Sequence, residues 1–234
     1  MNVFAIGDLH LSGSPPKKPM SVFGDHWNGH WEKIRKNWIS LVKNDDTVLL
    51  PGDISWGLRL NDALEDLLSV SELPGRKIMI RGNHDYWWSS STKMSLAVNK
   101  SIAFLQGHAV RVGEIAVGGT RGYLCPSEPC FVPETDISVF NRELLRTEAA
   151  LKEMSEFSAD VRILMLHYPP FSSTGTGPDF MSLIERYQPD HCVFGHLHDA
   201  RSFEKYNALP KRIGHTKLHL VSADYLGFSL KEIL

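Results

Sequence analysis

Five short strings space seven side chains of metal-ligating type along this chain: Gly7-Asp8-Leu9-His10, Gly52-Asp53, Gly82-Asn83-His84-Asp85, Leu166-His167 and Gly195-His196-Leu197-His198. The seven are Asp8, His10, Asp53, Asn83, His167, His196 and His198. Carboxylate oxygens, imidazole nitrogens and one amide oxygen, with no thiolate, suit hard-to-borderline divalent ions such as Mn, Fe, Co or Zn. The set is too large for one tetrahedral zinc and points to two adjacent divalent transition metal ions.

These strings sit at or just past apolar runs that read as β-strands, at residues 3–6, 47–50, 77–80, 162–166 and 192–194. Ligands carried by the ends of several strands converge on one rim, where open α/β sheets place their chemistry. Asp8 and His10 are two positions apart, as are His196 and His198. In an extended segment that spacing puts both side chains on one side. Gly7, Gly52, Gly82 and Gly195 each stand one residue before a candidate ligand and let the backbone turn sharply there.

The rest of the pattern alternates between helix and strand. Residues 11–24, rich in Ser, Gly, Pro and Lys, read as a loop. Trp31, Ile34, Trp38, Ile39 and Val42 recur at helical spacing and predict a helix over about 27–42. A second helix is expected over about 61–70 with Asn61 as its cap, and a turn at Pro74-Gly75. Val110, Val112, Ile115 and Val117 around Gly113-Glu114 read as a hairpin. A long helix is expected over 137–157, and two more strands at 219–221 and 228–233. Helices between early strands, with hairpins later, imply a mixed α/β sheet rather than a purely parallel one.

At 234 residues and 42% apolar composition the chain reads as one domain, 1–234, able to bury a core. A net charge of −2 offers no electrostatic reason for a nucleic-acid or membrane partner. No apolar stretch approaches the roughly 20 residues that span a bilayer, and no signal-peptide pattern opens the chain. Three cysteines favour a reducing compartment, so a cytoplasmic protein is expected.

The five strings, in this order, resemble the calcineurin-like metallophosphoesterases, whose pattern is Asp-x-His, Gly-Asp, Gly-Asn-His-(Asp/Glu), His and Gly-His-x-His. The match runs from Asp8 to His198, about four-fifths of the chain, with every motif position filled. The resemblance implies two mixed β-sheets packed face to face with flanking helices. It further implies that Asp8, His10 and His198 hold one metal, that Asn83, His167 and His196 hold the other, and that Asp53 bridges them. A bridge needs two oxygens on one carboxylate, which Asp53 has. Two divalent ions carry +4; Asp8, Asp53 and a bridging hydroxide remove three charges, and the remaining net positive charge attracts an anionic phosphoester. Metal coordination lowers the pKa of bound water toward ~7 and so makes a nucleophile available at neutral pH.

His84, beside a ligand but not counted as one, suits a general acid for the leaving oxygen or a donor to a non-bridging oxygen. Asp85 could hold the other ring nitrogen of His84, as carboxylates behind metal sites do. Arg121 could grip a phosphate through its guanidinium fork or be a plain surface residue. Trp56, Tyr86, Trp87 and Trp88 could stack on a nucleobase or fill core beneath a loop. Cys125 and Cys130 could form a small metal or redox pair, although free thiols are the simpler reading. Of the histidines outside the motifs, only His26, near the 11–24 loop, is a candidate visitor to the site.

The function this supports is hydrolysis of a small phosphoester. A small-molecule or nucleotide phosphodiesterase is preferred over a phosphatase acting on monoesters, because about +1 of metal charge suits a monoanionic diester. Asp85 and Ile54-Ser55-Trp56 depart from the protein-phosphatase pattern of Gly-Asn-His-Glu with an Arg soon after Gly-Asp. The larger, more basic nucleases are not matched either. A non-catalytic scaffold of the retromer type would have lost the histidine at the His84 position, which this chain keeps.

Overall fold

The structure, a computed structural model, describes residues 1–209 and 211–234. In chain order the strands are β1 (Val3–Ala5), β2 (Thr47–Leu50), β3 (Arg76–Ile80), β4 (Ile102–Leu105), β5 (His108–Val112), β6 (Ile115–Gly119), β7 (Val161–Met165), β8 (His191–Phe194), β9 (Arg212–Ile213), β10 (Thr216–Leu220) and β11 (Lys231–Glu232). The helices are α1 (His30–Leu41), α2 (Leu60–Ser71), α3 (Ser91–Ala97), α4 (Pro133–Glu156), α5 (Pro178–Tyr187) and α6 (Ala200–Ala208). They form two compact units: Met1–Phe104 with Val221–Leu234, and Leu105–Leu220.

Each unit is built on one mixed sheet, as the sequence implies. In the first, the order is β11-β1-β2-β3-β4. β1, β2 and β3 run parallel and β11 pairs antiparallel to β1. The central strands are buried end to end, which is why they read as unbroken apolar runs rather than alternating ones. Their C-terminal ends lie on one edge, and from that edge leave the loops carrying Asp8, Asp53 and Asn83. Ile34 and Trp38 of α1 and Ala63, Leu67 and Val70 of α2 belong to the same apolar core as Val48 and Leu50.

In the second unit the order is β5-β6-β7-β8-β10-β9. The hairpin expected around Gly113 is β5–β6, with Val110 opposite Val117. β6, β7, β8 and β10 are parallel, so Arg121, His167 and His196 follow strands that end on one edge. Helix α4 is anchored by a buried acid: Glu143, 1% exposed, accepts from Thr120 Oγ1 at 2.7 Å and from Arg146 at 2.7 Å. That contact fixes the segment leaving β6 immediately before Arg121.

Several boundaries differ from the sequence expectation. Helix α1 begins at His30, preceded by a 3-10 turn over Asp25–Trp27, because Gly29 takes a left-handed φ of 63°. Helix α2 begins at Leu60 rather than at Asn61. Its Asp62 carboxylate takes the Arg59 N–H at 3.0 Å, so the cap is supplied from inside the first turn. The expected strand over 228–233 shrinks to Lys231–Glu232, since Phe228 has φ 63° and closes a turn onto the Ala223 carbonyl at 2.7 Å. Helices α3, α5 and α6 and strand β4 lie outside the sequence expectation; all are short, and each shows too few turns for its period to stand out.

Trp38 is fully buried and its Nε1–H donates to the Pro74 carbonyl at 2.9 Å. Trp38→Ala removes both the ring and that bond and should cost about 3–5 kcal/mol. Urea unfolding monitored by circular dichroism checks this, and a loss below about 1 kcal/mol would contradict the core assignment.

Candidate metal and phosphoester site

In the first unit, the loop leaving β1 runs beside the loop leaving β2. Asp8 N–H donates to Gly52 O at 2.9 Å and His10 N–H to Asp53 O at 3.0 Å, so backbone pairing continues past the strand ends. The conformation there is not extended. Asp8, His10 and Asp53 have φ of 60°, 48° and 53°. The side-by-side placement expected from strand alternation therefore arises from left-handed turns, and the same correction holds for His196, at φ 70°. Such backbone costs a non-glycine residue on the order of 1 kcal/mol or more and collects at functional sites. A carboxylate oxygen of Asp8 lies within 4.8 Å of a ring nitrogen of His10 and within 4.8 Å of a carboxylate oxygen of Asp53. His10 Nε2 stands 3.9 Å from Asp53 Oδ2.

Gly52 and Gly82 permit this approach. A Cβ on Gly52, which has φ 90°, would come within 2.5 Å of the Gly82 nitrogen. A Cβ on Gly82 would stand 2.0 Å from Asp53 Oδ1. Gly82 is thus needed for the closeness of two loops rather than for a turn, a different reason from the one the sequence suggests.

Asp85 holds the two loops together. Its fully buried carboxylate accepts from the N–H groups of Gly82 (2.7 Å), Asp53 (2.8 Å), Ile54 (2.9 Å) and Ser55 (3.3 Å), and from Trp87 Nε1 at 2.9 Å. Burial pushes its carboxyl above the usual range, and the backbone donors oppose that shift. The sequence expectation that Asp85 orients the His84 ring is corrected here: its oxygens are taken up by main-chain and indole donors.

His84 donates its backbone N–H to Asp53 Oδ1 at 2.8 Å. Its ring lies 5.7 Å, centroid to centroid, from that of His10 and 4.4 Å from that of Trp56. Trp56 also stacks on His10 at 4.9 Å and 23°. Of the four aromatics singled out in the sequence, Trp56 is thus placed against candidate site rings. Trp87 is buried on Asp85, Trp88 packs against Phe104 at 5.5 Å, and Tyr86 is exposed. Asn83 is half-buried on the same loop. The 11–24 segment is pinned to α2, with Gly13 N–H donating to Asp66 at 2.8 Å and Ser14 N–H to Glu65 at 3.2 Å. His26 is exposed and packs on Trp27 and Phe228.

In the second unit, His167 is fully buried; its N–H donates to Arg121 O at 2.9 Å and its carbonyl accepts from Gly195 at 3.2 Å. The rings of His167 and His196 are 5.1 Å apart, and Tyr168 lies 4.2 Å from His196. His198 is half-buried and directly precedes Asp199, whose carboxylate caps α6 through Ser202 N–H at 3.0 Å. Arg121 lies beside His167 in the fold, its guanidinium 5.3 Å from the Tyr123 ring centre and its buried Nε without a hydrogen-bond partner. Cys125 is buried and Cys130 exposed, and both thiols are free.

The calcineurin-like phosphoesterase family matches residues 1–200. The chain belongs to that family. A stretch of 86 residues is 37% identical to the Gene 66 protein of Mycobacterium phage L5, covering 36% of this chain and 40% of that protein, so the likeness spans less than half of either. Among solved structures, TT1561 of Thermus thermophilus is similar at TM-score 0.57 and 12% identity, over 98% of this chain and 96% of its own. A protein of unknown function from Aquifex aeolicus, AQ665, is similar at TM-score 0.51 and 14% identity, over 99% and 95%. At these identities the two structures show a shared fold. As a calcineurin-like phosphoesterase, the chain carries Asp and His groups that could hold metal. No helix among the described residues is long and apolar enough to cross a membrane.

The Asp85 clamp yields a prediction independent of activity. Asp85→Asn keeps the size but turns an acceptor oxygen into an NH2 facing backbone N–H donors. It should destabilise this calcineurin-like phosphoesterase by about 2–3 kcal/mol, measured by denaturant unfolding without added metal. Unchanged stability would show that the buried contacts are not what joins the two loops.

Proposed function

We propose that this protein is a dinuclear-metal phosphoesterase acting on small phosphodiesters. The observation that carries the reading is the close set of Asp8, His10 and Asp53 ligand atoms on left-handed loops, in a chain of this family. Oxygen and nitrogen donors without thiolate fit Mn, Fe, Co or Zn. In this reading Asp8, His10 and His198 hold one ion, Asn83, His167 and His196 the other, and Asp53 serves both, with residues 1–234 acting as one domain in the cytoplasm.

Two such ions would supply Lewis-acid stabilisation of phosphoryl oxygens and a water made nucleophilic near neutral pH. The protein's own part is positioning and proton handling. His84, held against Trp56 and fixed by its N–H on Asp53, donates a proton to the leaving oxygen or contacts a non-bridging one. Arg121, with its buried Nε available, takes a phosphoryl oxygen. The two carboxylates Asp8 and Asp53 against two divalent ions leave a net positive site, which suits a monoanionic diester better than a monoester dianion.

Metal analysis of reconstituted protein should give two ions per chain, and Asp53→Ala should lose both together with nearly all turnover. A saturating stoichiometry of one would remove the bridging role. On bis(p-nitrophenyl) phosphate and p-nitrophenyl phosphate under the same metal and pH, kcat/KM should favour the diester; the reverse order would sink the substrate assignment.

His84→Ala should keep the metals and lose roughly 10²–10⁴-fold in rate. The loss should be smaller with a p-nitrophenolate leaving group, which departs without a proton, than with an alkoxide. Equal losses on both would leave His84 as an electrostatic contact only.

A further inference from the structure

Within the second unit a cavity of about 210 Å³ has His196 in its wall, between Tyr168, which follows His167, and Leu197. The rest of the wall is largely carbon, with Leu124, Cys125, Phe171 and Leu209. Burial pushes the Cys125 thiol up to about 12, so it remains a neutral, weakly polar wall.

Lys205 also borders the cavity, and most of the other polar side chains there are already engaged. Tyr123 OH donates to Asp136 at 3.0 Å, and Tyr206 OH accepts from Leu220 N–H at 3.2 Å. Glu128 takes both the N–H and the hydroxyl of Ser173. Ser172 is shared with Thr174 and Thr176 at 2.9 and 3.0 Å, and Ser202 is bound to Asp199. A nucleobase buried here would bring several donors and acceptors to walls whose side-chain partners are largely spent, and unsatisfied polar groups cost about 1–3 kcal/mol each. A hydrocarbon or unsubstituted aryl group brings none.

We propose that this cavity is the specificity pocket for the organic arm of the phosphoester, and that it selects an alkyl or aryl arm over a nucleoside. The inference rests on the phosphoesterase reading, because the candidate ligand His196 and Tyr168, which follows the candidate ligand His167, line the cavity. It adds what that reading lacks, the chemistry of the group attached to the phosphate. Leu209, just past the end of α6 and distant in sequence from most of the candidate ligands, is part of the pocket wall.

The test compares methyl, butyl and hexyl p-nitrophenyl phosphates with the p-nitrophenyl ester of thymidine 5′-phosphate on the metal-loaded protein. In parallel, calorimetry follows binding of methylphosphonate and hexylphosphonate. Each added methylene should raise kcat/KM by roughly threefold to fourfold until the cavity is full, and the thymidine ester should fall below the hexyl ester. Hexylphosphonate should bind with a more negative heat-capacity change than methylphosphonate. Leu209→Trp should flatten the rise in kcat/KM from the methyl to the hexyl ester, and Leu209→Ala should lower kcat/KM for the hexyl ester more than for the methyl ester. Turnover that is indifferent to arm length, or a thymidine ester preferred over the hexyl ester, overturns the pocket assignment. Hexylphosphonate binding that depends on Leu209, with no turnover of any ester under any metal, would keep the pocket and overturn the phosphoesterase reading.

Discussion

One buried carboxylate organises the candidate ligand loops of the first unit. Asp85 gathers N–H groups from Gly82, Asp53, Ile54 and Ser55 and the indole N–H of Trp87. Four backbone donors at the mouths of two parallel strands would otherwise be buried with no acceptor, since the sheet ladder has ended there. A single acceptor with two oxygens satisfies them all and draws the loop after β2 against the loop after β3. The same contact brings His84 N–H onto Asp53, so a candidate ligand and a candidate proton donor share one anchor. Closeness of this order leaves no room for a Cβ at Gly82.

Parallel pairing does the coarser placement. Because β1, β2 and β3 run the same way, their exits share an edge, and β6, β7 and β8 repeat the arrangement in the second unit. The exits of β1, β2 and β8 then spend one or two residues in left-handed backbone, at Asp8 and His10, at Gly52 and Asp53, and at His196. Strand direction chooses the edge, and loop conformation chooses where the side chain points.

Much of this is legible in the sequence. The strands around residues 3–6, 47–50, 77–80, 162–166 and 192–194 stand out because full burial makes each a short run of apolar residues, and the motif residues begin where those runs stop. The hairpin at Gly113 and the long helix ending near Phe157 are equally plain. The left-handed backbone at Asp8, His10, Asp53 and His196 is not, since φ at an Asp or His depends on what the neighbouring loop allows rather than on residue type. The engagement of Asp85 is hidden for a similar reason. A carboxylate next to a histidine suggests a side-chain partner, whereas its actual donors come from residues 30–32 positions earlier and from its own turn. The short helices α3, α5 and α6 owe their stability to packing, which a seven- to ten-residue pattern cannot announce.

The left-handed residues set stability and chemistry against each other. At Asp8, His10, Asp53 and His196 a glycine would relax the backbone by on the order of 1 kcal/mol apiece, and each such change would delete a donor atom. Selection for a sturdier fold alone would therefore drift toward glycine at these four positions and strip the chain of candidate ligand side chains. Thermostabilising this chain by unbiased screening carries that hazard, and a screen that retains metal uptake as a second criterion avoids it.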